Sequence, residues 1–230
     1  MPDVDSITAV SARQDVAEQL LRSAGILPIV SVDSIDIALR VADALQRGGL
    51  TAIELTLRTP VAIDAIAALK QEFPALVIGA GTVLRAAQVD AAQGAGADFL
   101  VTPGSSSSLL GALAHAIVPV VPGAATPSEV LVLAEHGYRI AKLFPAAALG
   151  GLRMLRALSG PFPDFMFCPT GGIDESDAAA YLALGNVACL GGSWMVPAAW
   201  LRTGDYAAVE RSAAAARALV MQRDALALRT

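Results

Sequence analysis

Only two of the 16 basic residues are lysines, Lys70 and Lys142, and arginine supplies the rest of the positive charge. Lys70 closes an amphipathic helical pattern, VAIDAIAALK, whereas Lys142 lies inside RIAKLFPA, an apolar run with the character of a strand. An amine set among apolar walls and near another cation loses part of its preference for the charged form, and a neutral amine attacks a carbonyl to give a Schiff base. Lys142 is therefore the candidate nucleophile; the alternative is a buried lysine neutralised by an acid. An acid is at hand in AIELTLR. With the strand period of 2, Ala52, Glu54, Thr56 and Arg58 share one face, while Ile53, Leu55 and Leu57 share the other. A carboxylate, a hydroxyl and a guanidinium then project together. Burying an unpaired carboxylate is expensive, so Glu54 must be paired, hydrated or protonated. A Glu54–Arg58 ion pair without catalytic duty stands beside the acid/base reading.

Further chemistry sits where apolar runs end. CPTGGI (168–173) and LGGSW (190–194) are glycine-rich turns whose backbone N–H groups suit a phosphate, although paired glycines also simply permit tight turns. Thr82, Thr102 and Thr170 fall at similar ends, where hydroxyls hold a carboxylate or hydroxyl. Cys168 and Cys189 each lie in an apolar run and read as small buried hydrophobes. His115 and His136 fall near the ends of helical patterns, and two histidines exclude a multi-histidine metal site.

These residues hang on a regular frame. Eight apolar runs recur at 26–32, 52–57, 76–83, 99–104, 119–124, 139–145, 165–172 and 188–194, a step of about 23 residues that suits a strand, a helix and two loops. Helix starts are expected at Ser34, Thr59-Pro60, Thr126-Pro127 and Asp174, and the glycine pair Gly48-Gly49 suits a helix end. An extra helix within residues 1–25 precedes the first strand, and an alanine-rich helix fills 205–230. The pattern predicts an α/β chain, a (β/α)8 TIM barrel with an extra N-terminal helix, as one domain over 1–230. Inward polar residues near the C-terminal strand ends are where such a barrel keeps its site. GAGTVL (79–84) lacks the strand and spacing of a dinucleotide site.

Composition narrows the partners. The 230 residues are 55% hydrophobic and 16% charged, which argues against disorder and for one large core. A net charge of −5 argues against nucleic acid, and charges, glycines and prolines interrupt every apolar stretch before membrane-spanning length. The acidic start, MPDVDSITAV, is unlike a secretory signal, so the expected compartment is cytoplasmic.

The succession GGLTAIELTLRTP, GAGTVL, TPG, PGAATPSE, AKLFPA, CPTGGI and GGSW, in order from about residue 26 to 200, resembles the 2-keto-3-deoxy-6-phosphogluconate / 4-hydroxy-2-oxoglutarate aldolases. That resemblance implies a class I aldolase of the Entner–Doudoroff type, a cytoplasmic homotrimer of (β/α)8 barrels using no metal or other cofactor. It puts the Schiff-base lysine on Lys142 and the acid/base glutamate on Glu54. Carboxylate binding would fall to Arg58 and Thr82, and phosphate binding to Gly171, Gly172 and Ser193. Thr170 and Phe144 would line the substrate pocket, with Pro103 shaping its wall. The implied small molecules are a phosphorylated 2-keto acid and pyruvate. Two segments depart from the family pattern: PAAALGG after the lysine is more apolar, and ILPIVSV ends without an arginine, so phosphate binding is expected to lean on backbone donors. Related activities stay open at this point: cleavage of 4-hydroxy-2-oxoglutarate or a galactonate-derived substrate, oxaloacetate decarboxylation, or a phosphosugar-binding barrel that forms no imine.

Overall fold

The computed structural model describes residues 4–227, so the outermost residues of the two expected terminal helices, 1–3 and 228–230, lie outside it. Every one of the eight apolar runs contains a strand, and all strand pairings are parallel. The strands are β1 (Ile26–Val30), β2 (Ala52–Thr56), β3 (Val77–Gly81), β4 (Phe99–Val101), β5 (Val120–Val121), β6 (Gly123–Ala124), β7 (Ile140–Leu143), β8 (Met166–Pro169) and β9 (Leu190–Gly192). The run 119–124 gives two strands because Pro122 has no N–H to donate to a ladder. β5 therefore pairs with β4, and β6 with β7, while the Pro122 carbonyl still accepts from Lys142 N at 2.9 Å. The result is a six-stranded sheet ordered β5-β4-β3-β2-β1-β9 and a three-stranded sheet ordered β6-β7-β8. Isolated parallel bridges, Phe167 to Val187 and Thr170 to Gly191, reach from β8 to the β9 segment.

Helices alternate with the strands: α1 (Val4–Ala24), α2 (Ile35–Arg47), α3 (Ala62–Glu72), α4 (Ala86–Gly94), α5 (Ser107–Ala114), α6 (Pro127–Glu135), α7 (Leu152–Ser159), α8 (Glu175–Leu182), α9 (Ala198–Thr203) and α10 (Tyr206–Ala227). Ser34 caps α2 by accepting from Ile37 N, and Thr126 and Glu129 form a reciprocal capping box on α6. Two expected caps act differently. α3 starts at Ala62, and Thr59 instead donates its hydroxyl to the Val32 carbonyl at 2.7 Å, tying the β2 exit to the β1 exit. Asp174 occupies the position before α8 in extended conformation, but its side chain makes no cap bond.

Strand alternation sorts the interior. Ile53 and Leu55 join the large cluster between strands and helices, while Ala52, Phe99, Val101, Ile140, Met166, Cys168 and Cys189 belong to a separate inner cluster with Leu21 of α1. α1 crosses the N-terminal strand ends. Buried Gln14 donates to Val120 O, and its carbonyl lies in reach of Arg139 N and Ile140 N; Arg13 reaches Ala114 O at 2.8 Å. α10 packs across α2, with Val209, Ala213, Ala216 and Val220 fully buried. Gly48 allows this approach, since a Cβ there would collide with Ala213. Among the described residues, no helix is long and apolar enough to cross a membrane.

Candidate active site

Above the inner apolar cluster the interior turns polar. Glu54 of β2 and Lys142 of β7 are 1% and 4% exposed, yet their side chains meet, with Nζ donating to Oε1 at 2.9 Å. Each reaches inward because its strand alternates, and they converge because β2 and β7 belong to the two different sheets that face each other here. Gly81, the partner of Thr56 in the β2–β3 register, makes room: a Cβ there would collide with the Glu54 carboxylate. The Phe144 ring lies 5.6 Å from Nζ and supplies an apolar, π-rich flank to the amine.

The pair lies under a cavity of about 400 Å³ at the C-terminal strand ends, lined by Lys142, Phe144, Arg58, Thr170, Gly171, Gly172 and Ser193 from the sequence-predicted set. Lining residues outside the sequence-predicted set include Ile29, Val30 and Ser31 from the β1 exit, and Val196, Pro197 and Leu201 around the start of α9; Gly191 and Gly192, from the LGGSW turn expected to suit a phosphate, also line it. Their signal was positional: Ile29, Val30 and Ser31 fall in the C-terminal half of the first apolar run, and Val196, Pro197 and Leu201 follow the last one. Thr82 and Pro103 do not line this cavity. Thr82, half-buried past β3, takes a φ of 59°, uncommon for a threonine, and the Pro103 backbone is packed against Gly123.

Arg58 is exposed at the mouth and makes no ion pair with Glu54, whose partner is Lys142. The ion-pair alternative weighed from ELTLR therefore has the wrong cation: Arg58 lies beyond the last β2 residue, while Lys142 approaches from across the interior. Gly171 and Gly172, with φ of 100° and 71°, turn the chain sharply after β8 in conformations that disfavour other residues. Gly191 accommodates the Thr170 hydroxyl, and Gly192 the Trp194 ring, each occupying the space of a Cβ. Cys168 and Cys189 are buried and unbridged in the inner cluster. Burial, then the hydrogen bond with Cys168, pushes the Cys189 thiol well above its ordinary value.

A parallel α/β protein with a buried lysine–carboxylate couple beneath a cavity at its C-terminal strand ends belongs to the class of lysine-dependent carbon–carbon lyases. Comparison with known proteins makes the assignment particular. The KDPG and KHG aldolase family model matches residues 17–212. A 2-dehydro-3-deoxy-phosphogluconate aldolase of Pseudomonas aeruginosa is 50% identical over 194 residues, covering 84% of this chain and 88% of that protein. The crystal structure of a Legionella pneumophila KDPG aldolase, with pyruvate captured as a covalent carbinolamine, superposes with a TM-score of 0.84 at 41% identity, covering 86% of this chain and 97% of that one. A Zymomonas mobilis 2-keto-3-deoxy-6-phosphogluconate aldolase solved with 3-phosphoglycerate gives a TM-score of 0.82 at 38% identity, covering 89% and 95%. The chain belongs to the KDPG and KHG aldolase family, and it is an aldolase.

Proposed function

We propose that the protein cleaves 2-keto-3-deoxy-6-phosphogluconate to pyruvate and glyceraldehyde 3-phosphate through an imine on Lys142, and cleaves 4-hydroxy-2-oxoglutarate to pyruvate and glyoxylate by the same route. The observation that carries this reading is the 2.9 Å contact between Lys142 Nζ and Glu54 Oε1 under the cavity. A protonated amine must surrender a proton before it attacks, and the Glu54 carboxylate is in direct contact to accept it. Attack at C2 gives a carbinolamine, and Glu54 returns the proton to its hydroxyl, which leaves as water, so that the iminium forms and Glu54 is again a carboxylate. Glu54 then takes the C4 hydroxyl proton as the C3–C4 bond breaks, and that bond's electrons flow into the iminium to form an enamine. Returning the proton to C3 and hydrolysing the imine releases pyruvate and frees the amine.

The substrate's two ends meet different walls. Arg58, at the mouth on the β2 side, suits the C1 carboxylate. The Gly171-Gly172 and Gly192-Ser193 turns suit the phosphate, and Thr170 and Phe144 flank the carbon chain between. Thr82, past the neighbouring β3, is assigned with Arg58 to the carboxylate, and Pro103 to the wall of the pocket, as the family resemblance implies. The two sheets, joined through Pro122 on one side and the β8–β9 bridges on the other, form one closed (β/α)8 barrel, with α1 as the extra N-terminal helix and the whole chain as one domain. The working assembly is a homotrimer in the cytoplasm, and no nucleic acid, membrane or metal takes part.

Borohydride reduction in the presence of pyruvate tests the chemistry. The expected product is a single adduct on the peptide holding Lys142. No adduct, or an adduct confined to Lys70, which is engaged with Asp98 at 2.8 Å, would reject the imine mechanism in favour of a non-covalent phosphosugar-binding protein.

A further inference from the structure

Lys142 and Glu54 meet across two different sheets, so the distance between them depends on what joins those sheets. On one side the junction lies at Pro122, where β5 ends its pairing with β4 and β6 begins its pairing with β7. Gly123 follows Pro122 and is the register partner of Lys142. The Pro122 and Ala124 carbonyls accept from Lys142 N and Phe144 N, at 2.9 and 3.1 Å. The peptide groups of successive strand residues point to opposite sides, so the N–H and carbonyl of Gly123 point away from β7, where β6 is the edge of its sheet. Two hydroxyls from the β4 exit take them instead. Thr102 Oγ1 accepts from Gly123 N at 2.8 Å, and Ser105 Oγ donates to Gly123 O at 2.9 Å. Thr102 is fully buried, and its own N–H donates to Val121 O at 3.2 Å, so it grips both halves of the divided run 119–124. Between the two hydroxyls the loop packs directly on the strand: a Cβ on Gly123 would collide with the Pro103–Gly104 peptide.

Its place at a strand end made the Thr102 hydroxyl a candidate substrate contact, yet Thr102 does not line the cavity and its oxygen is engaged with Gly123. What it touches is the backbone that carries the nucleophile's ladder. Proton transfer between Nζ and Oε1 requires their hydrogen bond, and a misplacement of about 1 Å costs on the order of 100-fold in rate. Resting on the aldolase reading, we infer that Thr102 is a positioning residue. Its hydroxyl, helped by that of Ser105, fixes Gly123 and, through the β6–β7 ladder, sets Lys142 where its amine meets Glu54. The junction has a second tie nearer the N-terminal strand ends, where Gln14 reaches Val120 O, Arg139 N and Ile140 N. That tie lies upstream of both Gly123 and Lys142, so the two clasps separate holding the sheets together from placing the amine.

The test uses the full chain and pyruvate in heavy water. Pyruvate methyl protons exchange for deuterium each time the Lys142 iminium loses a C3 proton and the enamine takes a deuteron back, so exchange needs the amine and the carboxylate together. Thr102→Val is expected to lower kcat for exchange about 10- to 100-fold while KM stays within about threefold of the parent, because the walls that bind pyruvate are untouched. Thr102→Ser keeps the acceptor oxygen and should recover kcat to within about threefold. Gln14→Leu, compared at a temperature where every variant is folded, should exchange at the parental rate. A parental kcat in Thr102→Val overturns the inference, as does a raised KM at unchanged kcat. A Thr102→Ser variant as slow as the valine one also overturns it, and so does an equally slow Gln14→Leu, since either makes Thr102 one structural contact among others. If Thr102→Val does not fold, Ser105→Ala decides: a kcat lowered about three- to tenfold supports the clasp, and a parental kcat overturns it. A parent that neither exchanges protons nor traps pyruvate with borohydride rejects the aldolase reading itself, whereas an exchanging parent beside unchanged variants rejects only the positioning role.

Discussion

The two ends of the strand bundle are filled by opposite chemistry. At the N-terminal end, α1 lays Leu21 on an inner layer of Phe99, Ile140 and Met166, and buried Gln14 meets the backbone of Val120, Arg139 and Ile140. Tyr138 is the exception there, a buried phenol without a partner among the described residues, pushed up chiefly by desolvation. At the C-terminal end, the Lys142–Glu54 couple is walled by glycines, by Thr56, whose hydroxyl has no partner among the described residues, and by an exposed arginine. The lower half spends its polar groups on the fold, whereas the upper half keeps the Lys142 amine at a cavity with the Glu54 carboxylate against it.

That contrast is sharpest at the ion pair. Removing one partner of a buried pair leaves an uncompensated charge, so Lys142→Met should lower the unfolding free energy by about 3–5 kcal/mol while abolishing imine formation. Adding Glu54→Leu should recover the loss, and the double variant should match or exceed the parent in urea denaturation, because two desolvated charges give way to hydrocarbon. If Lys142→Met were as stable as the parent, Glu54 would not depend on Lys142 for its neutralisation.

The lower end makes the reverse prediction. Gln14→Leu leaves the Val120 carbonyl and the Arg139 and Ile140 N–H groups without their side-chain partner, and should cost roughly 2–4 kcal/mol of stability. Pyruvate trapping at Lys142 should stay at the parental level. A large change in trapping with little change in stability would erase the division between the two ends.

The smallest effect concerns the inner thiol. Cys189 has its folded value raised well above the ordinary one, so the neutral thiol is favoured in the folded chain. Its contribution to stability is complete below the unfolded thiol value of about 8.5, and is lost as pH rises from there through the folded value. Urea midpoints measured from pH 7.5 upward should therefore fall above pH ~8.5, by at most about 1.4 kcal/mol per pH unit for this one group. Cys189→Ala should flatten that slope whatever its own effect on packing. An identical slope in both proteins would assign the alkaline loss elsewhere, with Tyr138 the next buried candidate at higher pH.

Much of this arrangement was legible in the chain. The scarcity of lysine singled out Lys142, and period-2 alternation turned Glu54 and Thr56 to the same side as the structure does. The helix starts at Ser34 and Thr126 were legible because a cap is a local bond, closed within three residues. Thr59 was misread for the opposite reason: its hydroxyl has the chemistry of a cap but bonds Val32, 27 residues away, and no local pattern announces that choice. The run 119–124 looked like one strand, yet its Pro122 divides it between two neighbours that only the sheet order reveals.

Residue types and alternation settled which side chains face inward, because a strand's geometry is intrinsic to its backbone. What faces what was decided in three dimensions. The partner of Glu54 is Lys142, 88 residues distant, rather than Arg58, four residues away on the same strand. Neighbours along one strand face are held nearly a pleat repeat apart, whereas residues from strands of the two different sheets converge here at hydrogen-bond distance.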